Sequence, residues 1–426
     1  MKIPRTLIAA LAVTAMACGG AASLPLAQAG VTPAPFAPAA NATPTYIAVI
    51  DAGSSGTRLD LFTTTSDSIA VLRVMKSSPN TAGLSSFAAT PDQAGPDAVA
   101  PLLAQLDAYL AEKGVAASDV PVGLRATAGM RALRISDSAA VKAIFESTSA
   151  TLNASGHPVL ANSILPSYQE ASLAWVDANA LNGTLRAKTD SRGIVEVGGA
   201  SAQVAFRSST TTGPGVTRVK VAGDVIPVVA VSYLGLGSNM ARDAMQTAYD
   251  GGSFCLPGNA SGTEPEVYDL GLVIPVNSVQ ARYELRRCAQ AYADVIDKAG
   301  TDAAVAPDRL HNLPGFANSH FVGLGLVPFV FRDFNISPNE AEDGQALTAG
   351  LRSTCRGANA WPRVYAIYGA TNAFSETLCP NASLVRVFVF GKRGVGVSGS
   401  DFEGDPQFGS RAPSWPAGYA TTILHP

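Results

Sequence analysis

The chain reads as an α/β protein of two similar domains, each a mixed, mostly parallel sheet flanked by helices. Three observations predict this. Ile47-Ala48-Val49-Ile50-Asp51 is an apolar strand run that ends in a carboxylate and enters the turn Gly53-Ser54-Ser55-Gly56. About 140 residues later the pattern returns, as Gly193-Ile194-Val195-Glu196-Val197 runs into Gly198-Gly199-Ala200-Ser201 and a further strand through Gln203. Around both copies strands alternate with helical segments, the arrangement of sheets covered on both faces. A length of 426 residues is long for one domain and comfortable for two, each burying its own core.

Strands are expected at 46–51, 57–63 and 69–76. Val99, Leu102, Leu103, Leu106, Tyr109 and Leu110 recur at three- and four-residue spacing, and Gly114 closes the segment, so Pro96 to Lys113 is an amphipathic helix. A short strand at 119–124 delivers Arg125 to Arg131 to a loop; a helix at 137–152 and a strand at 157–161 complete the first unit. Ser167 to Asn182 is a helix linking the units. The second unit continues through strands at 216–222 and 225–232 to Ser232-Tyr233-Leu234-Gly235-Leu236-Gly237. Beyond Gly251 the period weakens. A helix is expected at 278–299, a strand at Val385 to Phe390 and a last helix, returning to the first domain, at Ser414 to Leu424; 307–345 follows no single period. The first domain is thus 46–165 plus 410–426, and the second is 166–409.

Apolar residues make up 47% of the chain and charged ones 15%, which fits a globular enzyme and excludes a disordered chain. Lys2 and Arg5 precede an apolar run from Leu7 to Ala17, and Ala27-Gln28-Ala29 has the small-x-small form of a cleavage site, so residues 1–29 read as a signal peptide. Ala15 stands where lipid attachment at Cys18 would favour a bulkier aliphatic residue. Removing 1–29 takes away Lys2 and Arg5 and moves the formal charge from −3 to −5, which argues against nucleic acid as a partner. Pro- and Ala-rich residues 30–45 form a linker. No later run reaches the roughly 18 apolar residues of a membrane span, so the product is expected to be periplasmic or secreted, without stable membrane insertion. Oligomeric state is not readable. Four cysteines remain, Cys255, Cys288, Cys355 and Cys379. An exported chain favours disulfides; three pairings are possible, and proximity favours 255 with 288 and 355 with 379. A zinc site competes, but no two cysteines have ligand spacing and the histidines are scattered.

Hydrolysis of a phosphoanhydride needs donors for the phosphates, a divalent metal to offset charge and a base to draw a proton from water. The small-residue turns, Gly53, Ser54, Ser55, Gly56 and Gly198, Gly199, Ala200, Ser201, can supply donors from backbone amides and hydroxyls. Asp51 and Glu196, at strand ends beside them, can hold a hydrated Mg²⁺ or Ca²⁺ through waters. Gln203 can fix the direction of a water, and Glu170 is the carboxylate left to act as base.

Taken in order, these segments resemble the ecto-nucleoside triphosphate diphosphohydrolases, the apyrase family of the actin-like ATPase superfamily. Asp51 to Arg58, Ala126 to Arg131, Gln169-Glu170 with Trp175 and Asn179, Glu196 to Gln203, and Ser232-Tyr233-Leu234 with Gly237 and Asn239 look like its five conserved regions, and Ser414-Trp415 like its closing motif. The likeness runs from about 46 to 245 and then thins.

The resemblance implies two actin-like, ribonuclease H-like domains with the active site in a cleft between them, and conversion of nucleoside tri- and diphosphates to monophosphate and phosphate. It implies Glu170 as general base, Gln203 orienting the water, Thr127 meeting the water or terminal phosphate, and Asp51 with Glu196 on the metal. Arg58 and Arg131 are read as supports of the loops. Three positions depart from the family: Glu196 replaces a usual Asp, Ala171 a usual Gly, and Ser238 stands where some animal members carry a base-stacking arginine. Base contact then falls to Phe329 or Phe331. An exopolyphosphatase or guanosine pentaphosphate phosphatase shares the hairpins, and a non-catalytic actin-like nucleotide binder is the reading from another class.

Overall fold

Two twisted sheets carry the fold in the computed structural model, which describes residues 45–65, 68–257, 283–301, 303–336, 343–357, 360–369, 374–409 and 411–426. The expected signal peptide, the linker up to residue 44 and the first turn of the helix expected at 278–299 lie outside the described residues. In chain order the first sheet and its helices are β1 (Tyr46–Ala52), β2 (Thr57–Thr65), β3 (Ser68–Lys76), α1 (Ala100–Lys113), β4 (Val122–Ala126), α2 (Ala128–Ser136), α3 (Ser138–Ala154) and β5 (Val159–Ile164). Then follow α4 (Ser167–Leu181), β6 (Arg192–Val197), β7 (Ser201–Arg207), β8 (Val216–Val221), β9 (Asp224–Leu234), α5 (Ser238–Ala248), α6 (Leu285–Gly300), β10 (His320–Gly325), α7 (Val327–Asp333), α8 (Asp343–Thr354), α9 (Ala360–Tyr368), α10 (Phe374–Phe390), β11 (Phe402–Glu403) and α11 (Trp415–Leu424).

Strand order is β3-β2-β1-β4-β5 in the first sheet and β11-β10-β6-β7-β9-β8 in the second. The duplication extends beyond the hairpins. In order and sense β9-β7-β6-β10-β11 repeats β3-β2-β1-β4-β5, with β8 added at the edge. Both sheets are mixed, as expected, but only two of four pairings in the first and two of five in the second are parallel. Tight turns force their two strands to pair antiparallel, and both copies begin with such a turn.

Apolar alternation assigns the layers. Along β1, Ile47 and Val49 face one core while Ala48 and Ile50 face another with α1 and α3. The first of these cores is shared by both sheets, because Ile194, Val322 and Leu324 join it together with α4 and α11. Helix α4 is therefore a middle layer rather than a simple link. Residues Glu170 to Ala180 are all buried, which suits a helix apolar nearly all round. At its crossing with α11, a Cβ on Gly418 would lie 1.9 Å from Leu173 O, so only glycine permits this approach. Buried Asp177 on α4 accepts both guanidinium nitrogens of Arg411 and the amide of Ser414, while Arg411 also donates to Val71 O, pinning the C-terminal segment to the first sheet. A third core lies on the far face of the second sheet against α5, α6, α7 and α10. Residues Ala42–Pro426 form one compact unit.

The sequence and the structure part company at several points. Ala128 to Arg131 opens α2 instead of forming a loop. Val385 to Phe390, expected as a strand, is the end of α10, a helix so enclosed that its apolar run has no polar stripe to reveal its period. His320 to Gly325, within the unassigned stretch, is the strand β10 at the heart of the second sheet. Disulfides join Cys255 to Cys288 and Cys355 to Cys379, the pairing favoured by proximity. Among the described residues no helix is long and apolar enough to cross a membrane.

Candidate active site

The two turns face one another. Gly53 N donates to Gly56 O at 3.0 Å, and in the repeat Gly198 N donates to Ser201 O at 2.9 Å. A Cβ on Gly199 would lie 2.6 Å from Ser54 Oγ, which places the second turn directly against the first. The amides of Ser54, Ser55 and Gly56 and of Gly199 and Ala200 make no backbone hydrogen bond among the described residues. The carbonyls of 198 and 199 are held by the amides of Ser238 and Asn239 at the start of α5, and Ala200 O by Gly235 N. Amides left free on a fixed turn form an anion cradle.

A cleft of about 390 Å³ lies between the turns, and Asp51, Glu170, Glu196, Thr127, Gln203 and Ser201 all line it. Asp51 and Glu196 are equivalent by register, Asp51 opposite Arg58 and Glu196 opposite Gln203. Their surroundings differ. Arg58 Nη2 lies 2.5 Å from Asp51 Oδ2, leaving Oδ1 buried without a hydrogen bond. Glu196 has no such cation, and its buried Oε2 is also unpartnered. Burial, then the charges of Glu170 and Asp51, push the Glu196 carboxyl up to about 8, against only the weaker pull of Arg58. Burial also raises Asp51, offset in part by Arg58.

Glu170 stands in the first turn of α4, where the helix N-terminus favours negative charge. Burial raises its carboxyl, the Arg131 guanidinium 2.8 Å away lowers it, and Asp51 raises it. Arg131 also crosses from the first half to the second, donating to Ser201 Oγ at 3.1 Å and Ser232 Oγ at 3.4 Å. Gln203 Nε2 donates to the same two hydroxyls, at 2.6 and 3.2 Å. The expected supporting role of Arg131 fits these contacts, and Ser201 is occupied by them. Thr127 occupies the N-cap position of α2 but makes no side-chain cap bond, so its hydroxyl is free for the cleft.

Residues 39–249 match the family model described as GDA1/CD39 (nucleoside phosphatase) family. This segment is a GDA1/CD39 family domain. A probable apyrase of Arabidopsis thaliana is 33% identical over 212 residues, 47% of this chain and 42% of that protein. A human nucleoside diphosphate phosphatase is 31% identical over 242 residues, 51% of this chain and 54% of that protein. The chain thus spans about half the length of the curated relatives it matches. Among solved structures, a nucleoside triphosphate hydrolase of Neospora caninum shares the fold with a TM-score of 0.58 at 16% identity, covering 89% of this chain and 92% of that one.

The GDA1/CD39 domain holds every cleft residue from Asp51 to Gln203, but other parts of the cleft come from beyond it. Gly325 has φ +64°, and a Cβ there would sit 2.4 Å from Val197 O and 3.2 Å from Glu196 Cγ. The longer side chain at 196 is accommodated against this bare backbone. Phe329 on α7 lines the cleft, 57% exposed, with the Arg332 guanidinium 4.7 Å from its ring centre. Phe331, the other expected base-binding residue, is fully buried, its ring 6.0 Å from that of Phe402. It belongs to the core, because neighbouring positions on a helix point about 100° apart and Phe329 and Phe331 cannot share a face. Asn179, expected from the motif, serves structure: its amide nitrogen donates to Trp175 O and Arg192 O, tying α4 to β6. Sequence reasoning missed Asp60, Arg73 and Lys76 in the cleft wall. A signal existed for Asp60, since Arg58 and Asp60 alternate with Leu59 and Leu61 and period two puts both charges on one face.

Proposed function

We propose that the chain is an exported, divalent-metal-dependent hydrolase that converts nucleoside tri- and diphosphates to monophosphate and phosphate. The observation that carries the reading is the pair of register-equivalent turns facing each other, each beside a carboxylate with a buried, unpartnered oxygen, with a third carboxylate in the same cleft. The unpartnered oxygens of Asp51 and Glu196 fit a hydrated cation, since a water of its shell would donate to each. Asp51 and Glu196 would hold Mg²⁺ or Ca²⁺, which when bound neutralises charge on the phosphoryl oxygens.

The free amides of Ser54, Ser55, Gly56, Gly199 and Ala200 bind the terminal phosphates, and Thr127 meets the phosphoryl group from the end of β4. Gln203 orients the attacking water. Glu170 takes its proton; a carboxyl raised by burial is a stronger base than one in water, and Arg131 holds it in place and stabilises the ionised form. The base of the nucleotide stacks on Phe329. The two disulfides support export to an oxidising compartment. We assign the first domain to 46–165 plus 410–426 and the second to 166–409.

The test is release of phosphate from ATP, ADP, AMP and polyphosphate, with Mg²⁺ or Ca²⁺ and with chelator, by wild type and Glu170→Gln. Expected are metal-dependent release from ATP and ADP, inert AMP, and a loss of at least about 100-fold in the variant. Activity on polyphosphate alone, or binding without turnover, overturns the reading.

A further inference from the structure

A second cavity, of about 830 Å³, shares no lining residue with the cleft. It opens between α6, α8 and α10, with the segment 397–400 at its rim. Each of the three helices contributes an arginine, Arg286, Arg352 and Arg386, and no carboxylate lines the cavity among the described residues. Nearby arginines are treated differently: Arg287 pairs with Glu284, and Arg393 with Asp294 and Asp297. The three in the cavity form no ion pair among the described residues. Like charges gathered without a counterion repel, and an anion relieves this.

One of the guanidinium groups is also fixed in place. Arg386 Nε donates to Thr348 Oγ1 at 2.6 Å, and the Thr348 hydroxyl donates to Gly344 O at 2.7 Å. That leaves both Nη groups of Arg386 directed elsewhere, the fork that takes two oxygens of a phosphoryl group. Burial lowers the affinity of Arg386 for its proton, Tyr283 opposes this, and the charge of Arg352 adds to the lowering, so an approaching anion gains most here. Leu285, Val387 and Phe390 supply an apolar wall. The volume lies within the range of sites that enclose organic ligands of roughly 300–1,000 Å³ and is far more than inorganic phosphate fills.

We propose that this cavity binds an organic phosphate, with the phosphoryl group on Arg352 and Arg386 and the organic body along the wall of Leu285, Val387 and Phe390. The assignment is independent of the chemistry in the cleft. It is tested by equilibrium binding of AMP and of inorganic phosphate to the full chain in chelator, with Arg352→Gln and Arg386→Gln compared. AMP is expected to bind with a Kd below about 1 mM, at least about tenfold tighter than inorganic phosphate, one such step being about 1.4 kcal/mol. Each arginine variant should weaken AMP at least about tenfold, the loss of one charge-assisted contact. Arg352 is exposed, so its variant keeps the fold and decides the matter if Arg386→Gln does not fold. AMP binding unmoved by Arg352→Gln, or inorganic phosphate bound as tightly as AMP, overturns the proposal.

Discussion

The two halves place a carboxylate at the same position of the same hairpin and then treat it in opposite ways. Opposite Asp51 stands Arg58, a cation 2.5 Å away; opposite Glu196 stands Gln203, a neutral amide that gives its hydrogen bonds to Ser201 and Ser232. One acid carries its own counter-charge, while the other is left among acids. In the first half β4 is followed by Thr127, a small hydroxyl at a helix start; in the second β10 ends in Gly325 and leads to the exposed ring of Phe329. A shared backbone thus supplies two turns with free amides, and the side chains differ: the first half pairs its acid with a cation, while the second leaves its acid without one and adds an exposed aromatic ring.

Of the changes that test this asymmetry, losing either acid gives the largest expected effect. Asp51→Asn and Glu196→Gln should each lower metal-dependent phosphate release by about 10- to 100-fold, the usual range for groups acting on a metal through an intermediary. Glu196→Gln should be the more severe, because only the weaker, more distant pull of Arg58 offsets it; equal losses would erase the asymmetry. Arg58→Met leaves Asp51 buried and unpaired, and urea unfolding in chelator should show about 1–3 kcal/mol less stability, at the modest end because the arginine is 42% exposed. Divalent metal should restore part of that loss, since it supplies the missing charge. Phe329→Ala should raise the KM for ATP about tenfold with kcat little changed, in line with the worth of one base stack; an unchanged KM would remove the second half's role in base contact.

The smallest effect is a stability that depends on pH. Burial and neighbouring acids lift the Glu196 carboxyl to about 8, from an ordinary value of 4.5. Between those values the folded chain keeps a proton that the unfolded chain has released, so the metal-free protein loses stability as pH rises through this window and loses no more from this group above it. Glu196→Gln removes that liability. Its Tm in chelator should exceed wild type by about 3 °C at pH 8, with the gap closing toward pH 5. A gap that stays the same from pH 8 to pH 5 would show that Glu196 is ionised throughout.

Much of this was legible in the sequence where local chemistry suffices. The hairpins at 53–56 and 198–201 announced themselves through an apolar run, an acid and small residues, and the spacing of Leu102, Leu103, Leu106 and Leu110 gave α1. Order of motifs placed Glu170, Thr127 and Gln203 in one site, and the cleft contains all three. Legibility failed where an element is enclosed on every side. The end of α10 carries no polar stripe and took its form from the third core; β10 is too short to declare a period and took its form between that core and the one shared by both sheets.

What the amino-acid order fixed by itself was the duplicated strand-turn-strand unit and its acids, because turns and alternation depend on residues close along the chain. What only the folded molecule decided was which partner each acid meets: Arg58 or Gln203 by register, Arg131 reaching across to Ser201, Gly325 making room beside Glu196, and Phe331 turned inward while Phe329 faces the cleft. Charge and burial act over a few ångströms of space, and the chain brings those neighbours together from separations as large as that between Val71 and Arg411.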